Sequence, residues 1–177
     1  MPQISSVAIA ALLTRLSDPA TGFNKSLQSV APTYGIDPWD VDWDPNTSAN
    51  FMIGQIVPDQ IEESASFTYP FTTVDTGAVA SDNRVVSAVF AGSIVLIVEV
   101  HISVRNEDLP RSLAPLAQAI EDAFFATVNN LEEIGTYLSA QLTYNGKWTL
   151  QKSSIQFAGE NWRRTLRFTA TIGRITD

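Results

Sequence analysis

The sequence predicts a single α+β domain, in which helices pack mainly on one face of a mixed or antiparallel β-sheet. Two observations favour this class. Apolar residues recur at helical spacing in two separate segments, and runs rich in valine, isoleucine and threonine lie between and after these segments. The resulting order is helix, three strands, helix and two strands, for which a sheet covered by helices is the natural layered solution.

Length and composition agree with one domain over residues 1–177. Hydrophobic residues make up 45% of the 177-residue chain, which is enough for a folded core. The chain contains no cysteine, which excludes a disulfide framework and a thiolate site. No basic stretch precedes the first apolar residues, so we expect an untargeted cytoplasmic product.

The first predicted element is a helix over Ile4–Leu16. Its apolar positions follow one helical face, at Ile9, Leu12, Leu13 and Leu16. The Asp18-Pro19 pair ends this helix, because the residue before a proline is pushed out of the helical region. A second helical piece is predicted after it, with Phe23, Leu27 and Val30 on one side.

A loop and two short strands are predicted next. The segment from Asp37 to Asn50 (DPWDVDWDPNTSAN) has two Asp-Pro pairs and other turn-forming residues, which indicate an acidic loop insertion at about 37–50. Phe51–Val57 and Ser66–Val74 have the composition of strands. Pro70 falls inside the second, and because proline cannot donate to a ladder we expect an edge or bulged strand there.

The segment Val85–Val104 (VVSAVFAGSIVLIVEVHISV) predicts a long strand with a bend or bulge at Gly92. Its charges exclude a membrane span. From Val98 onward apolar residues alternate with Glu99, His101 and Ser103. The stretch before Val98 is continuously apolar, which indicates that both of its faces are covered, with a partner subunit as one candidate.

The C-terminal part predicts one helix and a strand pair. A full helical stripe runs over Leu113–Leu131, with Gly135 expected after its C-terminus. Lys147–Phe157 and Asn161–Ile172 then predict paired strands joined by a turn at Gly159. Along the last strand, Trp162, Arg164, Leu166 and Phe168 share one face, and Arg163, Thr165, Arg167 and Thr169 share the other.

The acidic loop invites comparison with a calcium-binding loop, because Asp40, Asp42 and Asp44 have the spacing of its first ligands. That motif also needs glycine at its sixth position and glutamate at its twelfth, where this chain has Pro45 and Phe51. We therefore expect no metal site. The loop is predicted to dock on a neighbour through Trp39 and Trp43, which alternate with the acids.

The only histidine, His101, lies two residues from Glu99 on the polar side of the long strand. Such a pair can carry out acid–base chemistry. No nucleophile elbow, phosphate-binding loop or zinc-protease motif accompanies it. We expect a solvent-exposed or interface histidine, no enzyme activity and no cofactor.

Charge is distributed unevenly along the chain. The net charge is −8, yet residues 151–177 carry five basic and two acidic side chains, while Asp37–Glu63 contains seven acids and no base. The basic residues Arg163, Arg164 and Arg167 lie beside Trp162. Because phosphate binding needs a broad positive field, we favour a protein interface over nucleic-acid binding. The uneven charge indicates either that copies of the chain meet basic edge to acidic edge or that a solvated acidic loop lies beside a basic strand.

The layout resembles the tail terminator (tail completion) proteins of long-tailed phages, also called neck or head–tail joining proteins. The residues that carry the resemblance are the Ile4–Leu16 helix, Phe67-Thr68-Tyr69-Pro70, Phe90-Ala91-Gly92 leading into Ile94–Val104, the Leu113–Leu131 helix, and Phe157-Ala158-Gly159-Glu160-Asn161-Trp162-Arg163-Arg164 continuing into Leu166-Arg167-Phe168. The resemblance covers most of the chain.

The resemblance implies a structural virion protein. Its subunits would form a ring, expected to be a hexamer, that caps the tail tube, stops tube polymerisation and meets the head connector. DNA would pass through the lumen without sequence-specific binding, and an acidic chain suits this because negative walls repel phosphates.

Two segments, the Asp37–Asn50 loop and the Asp18–Gly22 break, depart from the family pattern. They keep another head–tail connector or joining component open as an alternative. The residues themselves keep two further classes open: a small hydrolase that uses Glu99 and His101, and a calcium-binding module that uses Asp40, Asp42 and Asp44.

Overall fold

The computed structural model describes residues 4–37, 50–54, 60–61, 69–77, 80–81, 92–105, 113–128, 133–137, 140–144 and 147–174. The helices in this part are α1 (Ile4–Leu16), α2 (Phe23–Val30) and α3 (Leu113–Val128), with a 3-10 turn at Ala31–Tyr34. The strands are β1 (Phe51–Ile53), β2 (Phe71–Thr76), β3 (Ala80–Ser81), β4 (Gly92–Arg105), β5 (Glu133–Tyr137), β6 (Ala140–Tyr144), β7 (Thr149–Lys152), β8 (Gln156–Ala158) and β9 (Asn161–Arg174).

The strands form one mixed sheet, which confirms the predicted α+β class. Its main order is β1-β2-β4-β9-β6-β5; β3 also pairs with β4, and β7 and β8 pair with β9. β1 lies parallel to β2, whereas β4 lies antiparallel to both β2 and β9. The two longest strands, β4 and β9, pair along twelve positions from Ile94↔Ile172 to Arg105↔Asn161 and form the centre of the sheet.

The core lies against the even-numbered face of β4 and β9. Their register places Val98 beside Phe168 and Val100 beside Leu166, and all four side chains are buried in the main hydrophobic cluster. The Phe124 ring of α3 stacks on Phe168 with centroids 3.9 Å apart. The buried residues of α1 and α2, among them Ala8, Leu12, Leu16, Phe23 and Leu27, belong to the same cluster.

Polar contacts tie α3 to its surroundings. On the core face of β7, Lys152 reaches across to form an ion pair with Glu121 of α3. The Tyr34 hydroxyl donates to Asp122. Near the C-terminal end of α3, the Arg15 side chain donates from Nε to the Thr127 carbonyl at 3.0 Å. A cation near the last carbonyls of a helix is electrostatically favourable, so this bond also fixes α1 against the end of α3.

The first two helices meet in a tight turn that requires glycine at position 22. Asp18 Oδ1 accepts the backbone N–H groups of Thr21 and Ala20, each at 2.8 Å, and these bonds hold the pKa of Asp18 below its usual range. The Gly22 N–H donates to the Asp18 carbonyl at 2.8 Å. A Cβ atom at position 22 would lie 2.4 Å from that carbonyl oxygen, closer than real contacts allow.

We therefore expect Gly22→Ala to lower the free energy of unfolding by about 1–3 kcal/mol, as overpacking against fixed atoms does. Urea unfolding measures the change. The control is Gly35→Asn, where nothing lies within 4 Å of an added Cβ and φ is +71°, a conformation that asparagine tolerates. A loss at Gly22 no larger than the loss at Gly35 would contradict this reading of the turn.

Several predicted boundaries were wrong. β2 begins at Phe71, after Pro70, and pairs with both β1 and β4. Pro70 therefore removes no ladder bond, and β2 is neither an edge strand nor bulged at the proline. Gly135 lies inside β5, at a register shift between Glu133 and Gly135, and does not cap α3. β5 and β6 were not predicted at all. Residues 85–91 of the predicted long strand and residues 129–131 of the predicted helix lie outside the described residues.

Candidate functional site

The three predicted interface arginines lie on β9, but on both faces of the sheet. Arg163 and Arg167 pair with Ser103 and Glu99 of β4 on the odd-numbered face, while Arg164 lies on the core face beyond Leu166. This confirms the predicted alternation. Arg167 Nε lies 3.6 Å from Glu99 Oε1. The arginines therefore flank the strand and do not form one flat basic patch.

The end of the β8–β9 hairpin presents apolar and basic side chains together. Gly159 has a φ of +62° in the two-residue turn, as the sequence predicts. Phe157 is 52% exposed and Ile155 is 42% exposed, and the Phe157 ring lies 4.9 Å from that of Trp162. We call Ile155, Phe157, Trp162, Arg163 and Arg164 the hairpin surface. Phe157 and Trp162 lie on one side of the hairpin with Arg164, and Arg163 lies on the other, with both arginines half-buried. Aromatic and arginine side chains are enriched at protein interfaces.

An irregularity between β7 and β8 positions this surface. Lys152 pairs with Leu166, but Gln156 pairs with Arg163, so three residues of the connection oppose two of β9. Ser153 holds the bulge. Its N–H donates to the Thr165 carbonyl at 2.9 Å, its Oγ accepts the Thr165 N–H at 2.9 Å, and its carbonyl accepts Arg164 Nε at 3.2 Å. The predicted single strand Lys147–Phe157 is thus two strands with a bulge, which turns the hairpin end out of the β7 register.

His101 is buried, so the expectation that it is exposed to solvent was wrong, while the alternative of an interface position stays a prediction. The residue is 3% exposed and lies in register between Phe71 of β2 and Thr165 of β9. Its Nδ1 lies 3.1 Å from Thr165 Oγ1, and its Nε2 lies 3.8 Å from Glu99 Oε2. Burial lowers the pKa of His101 to about 4, so the imidazole is neutral at pH 7. The side chain is thus buried on the side of the strand that local alternation predicts to be polar.

A small cavity adjoins this histidine. Its volume is about 20 Å³, room for one water-sized group. It is lined by Tyr69, His101, Ile102, Ser153, Gln156, Arg163, Arg164 and Thr165. His101 Nε2 is buried without a hydrogen-bond partner in the described part of the chain. The sequence missed this cavity, because its walls come from four separate segments.

The local chemistry bears on the hydrolase alternative. The Thr165 hydroxyl and the His101 imidazole are within hydrogen-bond distance, as a nucleophile and its base would be. An imidazole with a pKa of about 4 is a weak base at neutral pH, since general-base catalysis works best when the pKa is near the operating pH. The geometry therefore favours a binding or structural role for His101.

The acidic half of the predicted interface, Trp39, Asp40, Asp42, Trp43 and Asp44, lies outside the described residues and stays a prediction. Within the ranges that are described, no group of three or more histidine, cysteine, aspartate or glutamate residues could hold a metal ion. None of the described helices is long and apolar enough to cross a membrane. No protein-family model matches the chain, and no curated protein matches it.

Proposed function

We propose that this protein is a structural component of a phage tail neck, a tail terminator whose subunits form a ring that caps the tail tube and joins it to the head connector. The observation that carries the proposal is the hairpin surface, where Phe157 and Ile155 are exposed beside Arg163 and Arg164. The family resemblance of the sequence supplies the identity of the assembly. In this role the protein is not an enzyme and needs no cofactor.

Ring closure explains why one subunit would carry two unlike surfaces. A ring of identical subunits uses a heterologous interface, in which one patch meets a different patch on the next copy. The hairpin surface is apolar and basic, and the Asp37–Glu63 segment has seven acids, no base and two tryptophans. Their complementary charges would guide the encounter and fix its register, while the aromatic residues would supply buried area.

The overall charge suits the proposed position in the virion. A net charge of −8 gives the ring walls that repel DNA phosphates, so the genome slides through the lumen without binding. The tail tube protein would lie on one side of the ring and the head connector on the other.

The direct test of this function is tube capping. Purified protein is added to polymerising tail tube protein of the same phage, and the tubes are examined by electron microscopy. We expect shorter tubes with a ring at one end. Uncapped tubes whose lengths equal those without the protein would overturn the proposal. A ring that binds the connector but never the tube would favour the alternative joining component.

Charge reversal at the hairpin surface tests the interface. We expect the double variant Arg163→Glu, Arg164→Glu to weaken subunit association by about tenfold or more, because like charges then face the acidic segment. Native mass spectrometry of the capped-tube ring, or of the free ring, gives the measurement. The control is Lys25→Glu with Lys147→Glu, an equal charge change at two exposed lysines away from the hairpin end. An intact ring in the arginine variant with an unchanged melting temperature would contradict the assignment.

A further inference from the structure

The cavity beside His101 combines a polar floor with an accessible rim. His101 is 3% exposed, while Ser153 and Gln156 at the rim are exposed. A buried polar atom without a partner is unfavourable, so a group that entered this space and paired with the imidazole would remove that penalty. The cavity is therefore a candidate binding site.

The tautomer of His101 determines which kind of group fits. Glu99 Oε2 lies 3.8 Å from Nε2, and a nearby carboxylate favours a proton on that nitrogen. With Nε2 protonated, Nδ1 accepts the hydroxyl proton of Thr165 across 3.1 Å. Nε2–H is then a buried donor, and its missing partner is an acceptor oxygen.

The charges around the cavity favour an anionic acceptor. Arg163 and Arg164 both line it, and no acidic residue is among the described residues that do. Glu99 does not line the cavity, although its Oε2 lies 3.8 Å from His101 Nε2; Arg167 Nε, 3.6 Å from Glu99 Oε1, offsets part of this negative charge. A space of about 20 Å³ has room for one water-sized group, such as one oxygen of a carboxylate.

We propose that this cavity binds one carboxylate side chain from the Asp40–Asp44 stretch of a neighbouring copy of the chain. The inference rests on the proposed ring and names a contact between its neighbouring subunits. Asp40, Asp42 and Asp44 alternate with Trp39, Val41 and Trp43. An acid that entered the cavity would place its charge beside Arg163 and Arg164, which line it.

The single histidine allows a direct experiment. The full chain is labelled with ¹⁵N-histidine and carries Asp40→Asn, Asp42→Asn and Asp44→Asn, so that its own segment does not compete. A peptide of residues 37–50 is then titrated in, and the two imidazole nitrogens are followed by NMR. We expect a saturable shift of the Nε2 resonance. A peptide with the same three aspartate-to-asparagine substitutions is the control and should leave the resonance unchanged.

A second labelled variant distinguishes binding in the cavity from nonspecific electrostatic attraction. Arg163→Gln with Arg164→Gln in the labelled chain should weaken peptide binding by about tenfold, whereas Lys25→Gln should not change it. No Nε2 shift, or an equal shift with the asparagine peptide, would overturn the proposal and leave the cavity to a water molecule. The experiment uses no tail tube, so its failure and the failure of tube capping are distinguishable.

Discussion

Replacing Phe124 by alanine is expected to lower the free energy of unfolding by about 3–5 kcal/mol. The side chain is 1% exposed and lies where the helices meet the sheet. Its ring stacks on Phe168 at 3.9 Å and makes edge contacts with Trp148 at 5.1 Å and with Phe23 at 6.4 Å. One truncation thus opens a cavity that touches α2, β9 and the segment before β7, and three aromatic rings lose their common partner.

Urea unfolding followed by tryptophan fluorescence measures the loss, since Trp148 reports on the same cluster. Phe157→Ala is the matched control, because the identical truncation falls on a ring that is 52% exposed. We expect that control to cost less than about 1 kcal/mol. Equal losses in the two variants would mean that the aromatic cluster does not organise the core as described.

The elements that the sequence predicted well are those whose pattern is local and long. The helical stripe of α3 and the strict alternation along β9 each extend over many residues, so the buried set, including Phe124, Leu166 and Phe168, follows from periodicity alone. The hairpin turn was equally predictable, because Gly159 supplies the positive φ that a tight turn requires.

The elements that escaped prediction depend on contacts made at a distance. β5 (EIGTY) and β6 (AQLTY) are short and mix polar with apolar residues. The pairing of β5 with β6, and of β6 with β9, selects the strand conformation. The bulge at Ser153 needs the Thr165 backbone opposite it before its hydrogen bonds exist. Neither the β5–β6 pair nor the bulge at Ser153 has a local sequence pattern strong enough to predict it.

The candidate site also has a part that the sequence predicts and a part that depends on contacts between distant residues. The opposite orientations of Arg163 and Arg164 follow from alternation, which the sequence contains. The burial of His101 and the cavity beside it do not, because Tyr69, Ser153 and Arg163 come together only when β2, β4, β9 and the bulge are assembled. A polar residue on a central strand is placed on the correct face by sequence, but its exposure is decided by neighbours that are distant in the chain.

Acidification is expected to destabilise the protein through His101 by roughly 3 kcal/mol in total. Burial lowers the pKa of this side chain to about 4 in the folded chain, against an ordinary value of 6.5. Between these values the unfolded chain binds a proton that the folded chain excludes. Stability therefore falls as the pH drops from about 6.5 to about 4, and this contribution changes no further below that range.

The variant His101→Gln isolates this contribution, because glutamine can still bond to Thr165 but does not titrate. Unfolding free energies of both proteins are measured by urea titration at intervals from about pH 7.5 to about pH 4, which spans the two pKa values. The carboxylates are present in both chains, so their effects largely cancel in the difference. We expect the wild-type chain to lose stability relative to the variant across this window. Parallel profiles would show that His101 protonates equally well in the folded state. The imidazole would then have more access to solvent than its 3% exposure indicates, or its charge would be stabilised by Glu99, whose Oε2 lies 3.8 Å from Nε2.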